Sequence, residues 1–335
     1  MALYDNMKLE KGMYQTAGKS FSQVLEELDP SGNYRGTELE GLDAFQRQLK
    51  RFDIKVGGGR SDVLEKFFST ADSAALFPEY VSRAVHQGME EAATLEGIIA
   101  SKTVIDSMDY RTISSDAAGK DKELKRVAEG AFIPETTIKL RENLVKLRKR
   151  GRMLVASYEA VRFQRLDLFT VTLRQIGAAI ARAQLNDAVD VLLKGDGNEN
   201  PIAATALETA GEFTYNELVS FWAGFSEFHM DTLLADTQAM VQLLQMAEFK
   251  DPCTGLELHR SGKCVTPFGA TLYRTTAMPE KTLVGLDRSC ALEMVTAGEL
   301  SVDYDKLIDR QLERAAITSI AGFSKIFDGA SRKLA

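Results

Sequence analysis

The chain has 335 residues, of which 44% are hydrophobic and 27% are charged, with a formal net charge of -7. This length can bury a sizeable core in one large or two modest domains, and the acidic balance argues against a sequence-specific DNA-binding domain. Cys253, Cys264 and Cys290 show no CxxC spacing, so we expect free buried thiols in a reducing compartment and no zinc site. Neither a signal peptide nor a run of 18 apolar residues occurs, so we expect neither export by the usual route nor membrane insertion.

The first 75 residues are polar and only weakly periodic. Short helical patterns occur at Phe21–Leu28, at residues 39–52 and at residues 63–70, with turns between them. Because few apolar residues are available, we predict an extended arm that is poorly able to fold alone.

A long two-stranded excursion follows a short helix that begins near Pro78, a residue suited to the first turn. β-Branched residues at 104–113 predict the outgoing strand, and residues 114–129 form a polar tip. The return strand begins near Phe132 and resumes at residues 153–157. A lone hairpin is marginally stable in water, so we expect this one to be stabilised by packing against another body of protein.

The return strand holds the strongest charge feature of the sequence, with seven lysines and arginines between Lys139 and Arg152 against the single acidic residue Glu142. Two interpretations stay open: a solvated or inter-subunit face that meets acidic surface of a neighbour, or phosphate contact without base readout. The candidate contact residues in the tip and the return strand are Lys120, Lys122, Lys125, Arg126, Lys146, Arg148, Lys149, Arg150 and Arg152.

Residues 166–195 predict one long amphipathic helix. At ~1.5 Å per residue, a helix of about 27 residues is roughly 40 Å long. Asp167 is the predicted N-cap, and Gly195 suits the position just past the last turn. The predicted core stripe comprises Phe169, Leu173, Ile176, Ile180, Leu185 and Leu192.

The remainder predicts a compact α/β unit. A capping box at Thr214 opens a helix that is predicted to reach Phe228, and strands are predicted at Thr232–Ala235 and at residues 256–259, 269–274 and 282–287. The pattern of residues 307–326 is ambiguous between helix and strand. The three histidines are scattered and no HExxH, GxSxG or GxGxxG pattern occurs, so we predict no catalytic residue, cofactor or metal.

The order of these parts resembles the major capsid proteins of tailed double-stranded-DNA bacteriophages, which have the Hong-Kong-97-type fold. The resemblance covers about residues 76–330 and rests on LFPEYVSRAV, the hairpin, TTIKLRENLVKLRKRGRMLVASYEA, the long helix ending LLKGDG, TLYRTTAMPEKTLVGLDRSCALEMV and IDRQLERAAITSIAGFSKIF. It implies an α+β fold and a strand for the ambiguous tail. The implied parts are an N-terminal arm (1–75), the first peripheral (P) domain segment (76–109), the extended loop or E-loop with its return strand (110–157), the P-domain spine helix (158–201), the axial (A) domain (about 202–300) and the return to the P domain (301–335).

The resemblance implies a non-enzymatic subunit whose pentamers and hexamers close into an icosahedral shell around packaged double-stranded DNA. The implied partners are further copies of the chain and non-specifically bound DNA, with room for scaffold, portal and decoration proteins, and with no membrane and no cofactor. The implied location is the virion capsid, assembled in the bacterial host cytoplasm. Two alternatives stay open: an encapsulin-like nanocompartment with the same fold, and a stand-alone α/β enzyme with an unrecognised site.

Overall fold

The computed structural model describes residues 3–15, 19–92, 94–115, 126–130, 138–250 and 264–335. It mixes helices and sheets, and the chain divides into two compact units. Unit 1 comprises Met1–Ala92, Lys149–Ala181 and Glu299–Ser319. Unit 2 comprises Ala93–Arg148, Arg182–Gly298 and Ile320–Ala335.

The α-helices are α1 (Phe21–Leu28), α2 (Ala44–Arg51), α3 (Ala71–Ala74), α4 (Phe77–Glu91), α5 (Tyr158–Phe163), α6 (Leu166–Lys194), α7 (Tyr215–Ala223), α8 (Thr237–Gln245) and α9 (Ala247–Lys250). The strands are β1 (Ser101–Ile105), β2 (Ile113–Ser115), β3 (Ile138–Leu140), β4 (Arg148–Ser157), β5 (Ala203–Thr205), β6 (Thr232–Ala235), β7 (Thr271–Arg274), β8 (Leu283–Leu286), β9 (Leu292–Ala297), β10 (Ser301–Leu307), β11 (Leu312–Lys325) and β12 (Ser331–Leu334). In the part of the chain that is described, no helix is both long enough and apolar enough to cross a bilayer.

The N-terminal stretch is packed into unit 1, so the expectation of an extended arm is wrong for its described residues, whereas the helix predicted at Phe21–Leu28 is present. Phe21 and Leu25 of α1, and Phe45 and Leu49 of α2, are buried in the same core as α4. Ser20 and Asp43 cap the two short helices with capping boxes. Few apolar residues suffice because they recur at helical spacing on one face of each helix.

A buried ion pair reinforces this stretch. Arg47 Nε lies 2.7 Å from Asp29 Oδ2, and both side chains are fully buried. Tyr34 donates a hydrogen bond to the other carboxylate oxygen at 2.5 Å, and Arg47 also donates to the main-chain oxygens of Asp29 and Leu42. A buried charge is tolerated when it is paired and hydrogen-bonded in this way.

Helices α4 and α6 touch through their backbones within unit 1. A Cβ atom at Gly177 would overlap the carbonyl oxygen of Val85, and one at Gly88 would overlap that of Arg174. Glycine at these two positions therefore permits the close approach. Tyr80 Oη adds a hydrogen bond across the crossing to Leu166 O at 2.9 Å.

The sheet in unit 1 resolves the ambiguous tail in favour of a strand, as the resemblance implied. β10 pairs antiparallel with the first half of β11, with Tyr304 opposite Ala315, and β4 also pairs with β11. Ala315 and Ile317 lie in the unit 1 core, and Tyr304 packs against it.

Unit 2 holds a parallel pair of β1 with β9, and β9 pairs antiparallel with the second half of β11. A second sheet has the strand order β5-β12-β8-β6-β7. Its central strands β6 and β8 are buried throughout, and α7 and α8 contribute Leu218, Phe221 and Leu243 to the core on this sheet.

Several predicted boundaries need correction. The long helix begins at Leu166, and its predicted N-cap Asp167 lies in the first turn, because pairing of residues 164–166 with residues 62–64 fixes the start. Gly195, with a φ of +86°, ends the helix as predicted. The helix predicted at 39–52 is the shorter α2, residues 63–70 contain a 3-10 helix at Leu64–Phe68, and α7 ends at Ala223. The strand predicted at 256–259 lies outside the described residues.

Candidate subunit-contact surfaces

The predicted hairpin is present at its base, in unit 2. β2 pairs antiparallel with β3, and Ile113 lies opposite Leu140. These two apolar side chains are 54% and 66% exposed, so the base carries an apolar pair that its own unit leaves uncovered. The outgoing strand predicted at 104–113 is in fact two strands, because β1 pairs with β9 and the polar residues 106–112 intervene before β2.

Two hydroxyl groups attach the outgoing side of the hairpin to the sheet. Tyr110 Oη donates to Glu293 Oε1 at 2.7 Å, and Thr112 Oγ1 donates to Glu293 Oε2 at 2.9 Å. Burial raises the pKa of the Tyr110 hydroxyl, and its hydrogen bond to Glu293 raises that pKa further, so Tyr110 keeps its proton as a donor.

The return side is attached by a polar cluster that is largely buried but includes the exposed Asp328. The Arg141 guanidinium lies 3.3 Å from Asp328 Oδ1 and 3.8 Å from Asp196 Oδ2, with little of the side chain exposed. Lys325, fully buried, donates from Nζ to Asn200 O at 2.9 Å. Burial lowers the pKa of Lys325, while the nearby Asp328 and Asp196 act in the opposite direction. Two residues after Arg141 in the chain, Asn143 Nδ2 donates a hydrogen bond to the Gly197 carbonyl oxygen at 2.6 Å.

The segment from Lys139 to Arg152, which we call the basic segment, contains side chains with partners in the same chain and side chains that are exposed without an ion pair to any described residue. Arg148 forms an ion pair with Asp187, a buried residue of α6, and Arg150 is half-buried and engaged within the chain. The exposed members form no ion pair with another described residue, and they are Lys146, Lys149 and Arg152. Arg126 is likewise exposed, whereas Lys120, Lys122 and Lys125 lie outside the described residues.

The predicted stripe of α6 faces the cores of the two units. Phe169 is half-buried, and the buried members are Leu173, Ile176, Ile180, Leu185 and Leu192. Sequence reasoning missed three further apolar side chains of unit 1 that are more than half exposed: Phe163, Leu168 and Val171. A single-stripe description of an amphipathic helix assigns no role to these residues.

Sequence reasoning also missed Glu293, Asp187 and Asp196. A signal was available for Glu293, because it is the one charged residue inside the apolar strand β9. Cys264 and Cys290 are free thiols, as predicted, but both are half-buried rather than buried. Within the described ranges, no group of three or more histidine, cysteine or acidic side chains is arranged to hold a metal ion.

Comparisons with known proteins agree with this architecture. Residues 141–302 match a family described as phage capsid protein. A search of curated proteins found no match. Among solved structures, a virus-like particle from Pyrococcus furiosus has a TM-score of 0.53 at 12% identity, covering 77% of this chain and 99% of that chain.

Two further structures are similar over most of the chain. The capsid of a native GTA particle has a TM-score of 0.53 at 14% identity, covering 72% of this chain and 89% of the other. A structure from Microbacterium phage Oxtober96 has a TM-score of 0.50 at 9% identity, covering 72% and 90%. The fold is therefore the Hong-Kong-97-type capsid fold, and residues 141–302, just under half of the chain, match the phage capsid protein family.

Proposed function

We propose that this chain is a major capsid protein whose pentamers and hexamers form an icosahedral shell around a packaged double-stranded-DNA genome. The observation that carries the proposal is the match of residues 141–302 to phage capsid proteins, within a chain that has the capsid fold over about three quarters of its length. Scaffold, portal and decoration proteins are further proposed partners, and assembly in the cytoplasm of a bacterial host is the proposed setting.

We assign the parts by the same resemblance. The spine helix is α6, the hairpin beginning at Tyr110 is the E-loop, and residues 202–300 form the A domain. The first 75 residues take the place of the N-terminal arm, although their described part is packed into unit 1.

The hairpin is the proposed contact with a neighbouring copy. A closed shell of identical subunits needs contacts between different patches of the same chain, with symmetry providing closure. The exposed pair Ile113 and Leu140 supports this role, because an apolar pair at the base of a hairpin without its own core gains from being covered by a neighbour.

The exposed basic side chains are the proposed charge contact. Lys146, Lys149 and Arg152 are available to a partner, whereas Arg148 is already paired with Asp187. Because the net charge is -7, the surface of a neighbouring copy is acidic on average, which favours a subunit contact over a DNA contact.

Electron microscopy and sedimentation velocity of the purified protein test the proposal. We expect hollow closed particles with five-fold and six-fold clusters of subunits. A uniform monomer under all conditions would contradict it and favour the enzyme alternative. Nucleic acid copurifying in particles from infected cells supports a phage capsid, whereas a dedicated protein cargo supports the encapsulin-like alternative.

Charge-reversal variants distinguish the two candidate partners of the basic segment, a neighbouring copy of the chain and DNA. Changing Lys149 and Arg152 to Glu should block assembly of DNA-free protein if these residues meet a neighbouring copy. Normal empty shells with defective packaging would instead assign them to DNA, and normal shells with normal packaging would leave them as a solvated face.

A further inference from the structure

The carboxylate of Glu293 is an unusual group within unit 2. It is 6% exposed, and none of the described cationic side chains pairs with it. Its four partners among the described residues are all hydroxyl groups, at distances of 2.6 to 3.5 Å: Thr103, Tyr110, Thr112 and Ser324. A buried charge without a counter-ion is costly, so hydrogen bonds must hold it.

The four hydroxyls come from three separate parts of unit 2. Thr103 lies on β1 and Ser324 on β11, the two strands that flank Glu293 in the sheet. Tyr110 and Thr112 lie outside the sheet, in residues 106–112 that lead into the hairpin. Both side chains reach the same carboxylate, one at each of its oxygens.

The backbone beside these hydroxyls joins the two sides of the hairpin. The Val145 amide donates to Tyr110 O, and the Arg141 amide donates to Thr112 O, each at 2.9 Å. The residues that bind Glu293 through their side chains therefore bind the return side through their carbonyls. Immediately beyond them lies the exposed pair Ile113 and Leu140.

We propose that Glu293 is a positioning residue that fixes the direction in which the hairpin leaves the sheet containing β1 and β9, and so determines whether the hairpin can engage a neighbouring copy. The second half of this inference rests on the proposed shell function. The carboxylate suits the role because one acidic group can accept from both sides at once, with two hydroxyls from the sheet and two from the hairpin.

Two variants of the full chain separate positioning from simple stabilisation of the sheet. The Tyr110→Phe/Thr112→Val double variant removes the hairpin donors and leaves the Glu293 carboxylate with its sheet donors. The matched control Thr103→Val removes a donor of the same kind from β1 and leaves both hairpin donors in place.

Amide hydrogen exchange of unassembled protein is the first readout. In the double variant, the Arg141 and Val145 amides should exchange about tenfold faster or more, and in Thr103→Val by less than about twofold. Unchanged exchange in the double variant, or equal acceleration in the control, would overturn the positioning role.

Assembly followed by light scattering is the second readout. The double variant should assemble several-fold more slowly than Thr103→Val. A loosened hairpin base with wild-type assembly would overturn the link to the neighbouring copy. Because the exchange experiment uses unassembled protein, it judges the positioning role even if the wild-type chain forms no shells, the result that would instead contradict the proposed function.

Discussion

The first 75 residues and the hairpin look alike in sequence but differ in structure. Both are polar segments for which the sequence predicts no core of their own. In the first, short capped helices deliver Phe21, Leu25 and Phe45 to the core of unit 1. At the hairpin base, Ile113 and Leu140 remain exposed, and the attachment to the rest of unit 2 is through hydroxyl and charged groups. The difference teaches that the spacing of a few apolar residues decides whether a polar segment packs on its own subunit.

The largest expected loss of stability comes from removing the buried ion pair of the N-terminal stretch. Arg47→Ala leaves the Asp29 carboxylate buried without its partner, so we expect a loss of about 3–5 kcal/mol in the free energy of unfolding. The exposed Arg35 is the matched control, and Arg35→Ala should change that free energy by less than about 0.5 kcal/mol. Denaturant unfolding measures both. Equal stability of the two variants would mean that the N-terminal stretch does not form part of the unit 1 core.

The second largest expected loss of stability comes from disturbing the backbone contact between α4 and α6 in the unit 1 core. Gly177→Ala places a methyl group against the Val85 carbonyl, and overpacking of this kind costs about 1–3 kcal/mol. An exposed helical glycine changed to alanine would instead gain up to about 1 kcal/mol. Gln175→Ala, on the exposed side of α6, is the control. A Gly177→Ala protein as stable as the wild type in thermal unfolding would show that the Gly177 and Val85 backbones are not in contact.

A smaller loss of stability is expected to distinguish the paired Arg148 from the unpaired Arg152. Arg148→Glu places two carboxylates together at Asp187, and because Arg148 is half exposed we expect a loss of only about 1 kcal/mol. Arg152→Glu should leave the unfolding free energy within about 0.5 kcal/mol of the wild type but slow assembly. If calorimetry shows the reverse order, Arg148 is a contact to a partner and Arg152 is the internal one.

The smallest expected effect on stability concerns the hairpin tip. Replacing residues 117–127 by a short Gly-Ser turn should leave the melting temperature of the unassembled protein nearly unchanged, because the segment offers almost no apolar area. The same change should abolish shell formation or weaken it strongly in sedimentation. A large loss of monomer stability with normal shells would show that the tip packs on its own subunit.

The sequence predicted those features that depend on local periodicity. The long helix, its end at Gly195 and the capping box at Thr214 follow from spacing within one segment. The hydroxyl groups bound to the Glu293 carboxylate, the Arg148–Asp187 pair and the α4–α6 contact could not be predicted, because their partners are far apart in the chain. The N-terminal stretch was misjudged because its overall composition hid the spacing of its few apolar residues.

The most direct test of the account is a reconstruction of the assembled particle at a resolution that traces the chain. We predict closed shells in which the hairpin of one copy lies on a neighbouring copy, with Ile113 and Leu140 covered and Tyr110 and Thr112 still bound to Glu293. A hairpin folded back onto its own subunit, with that apolar pair facing solvent in the shell, would contradict the account.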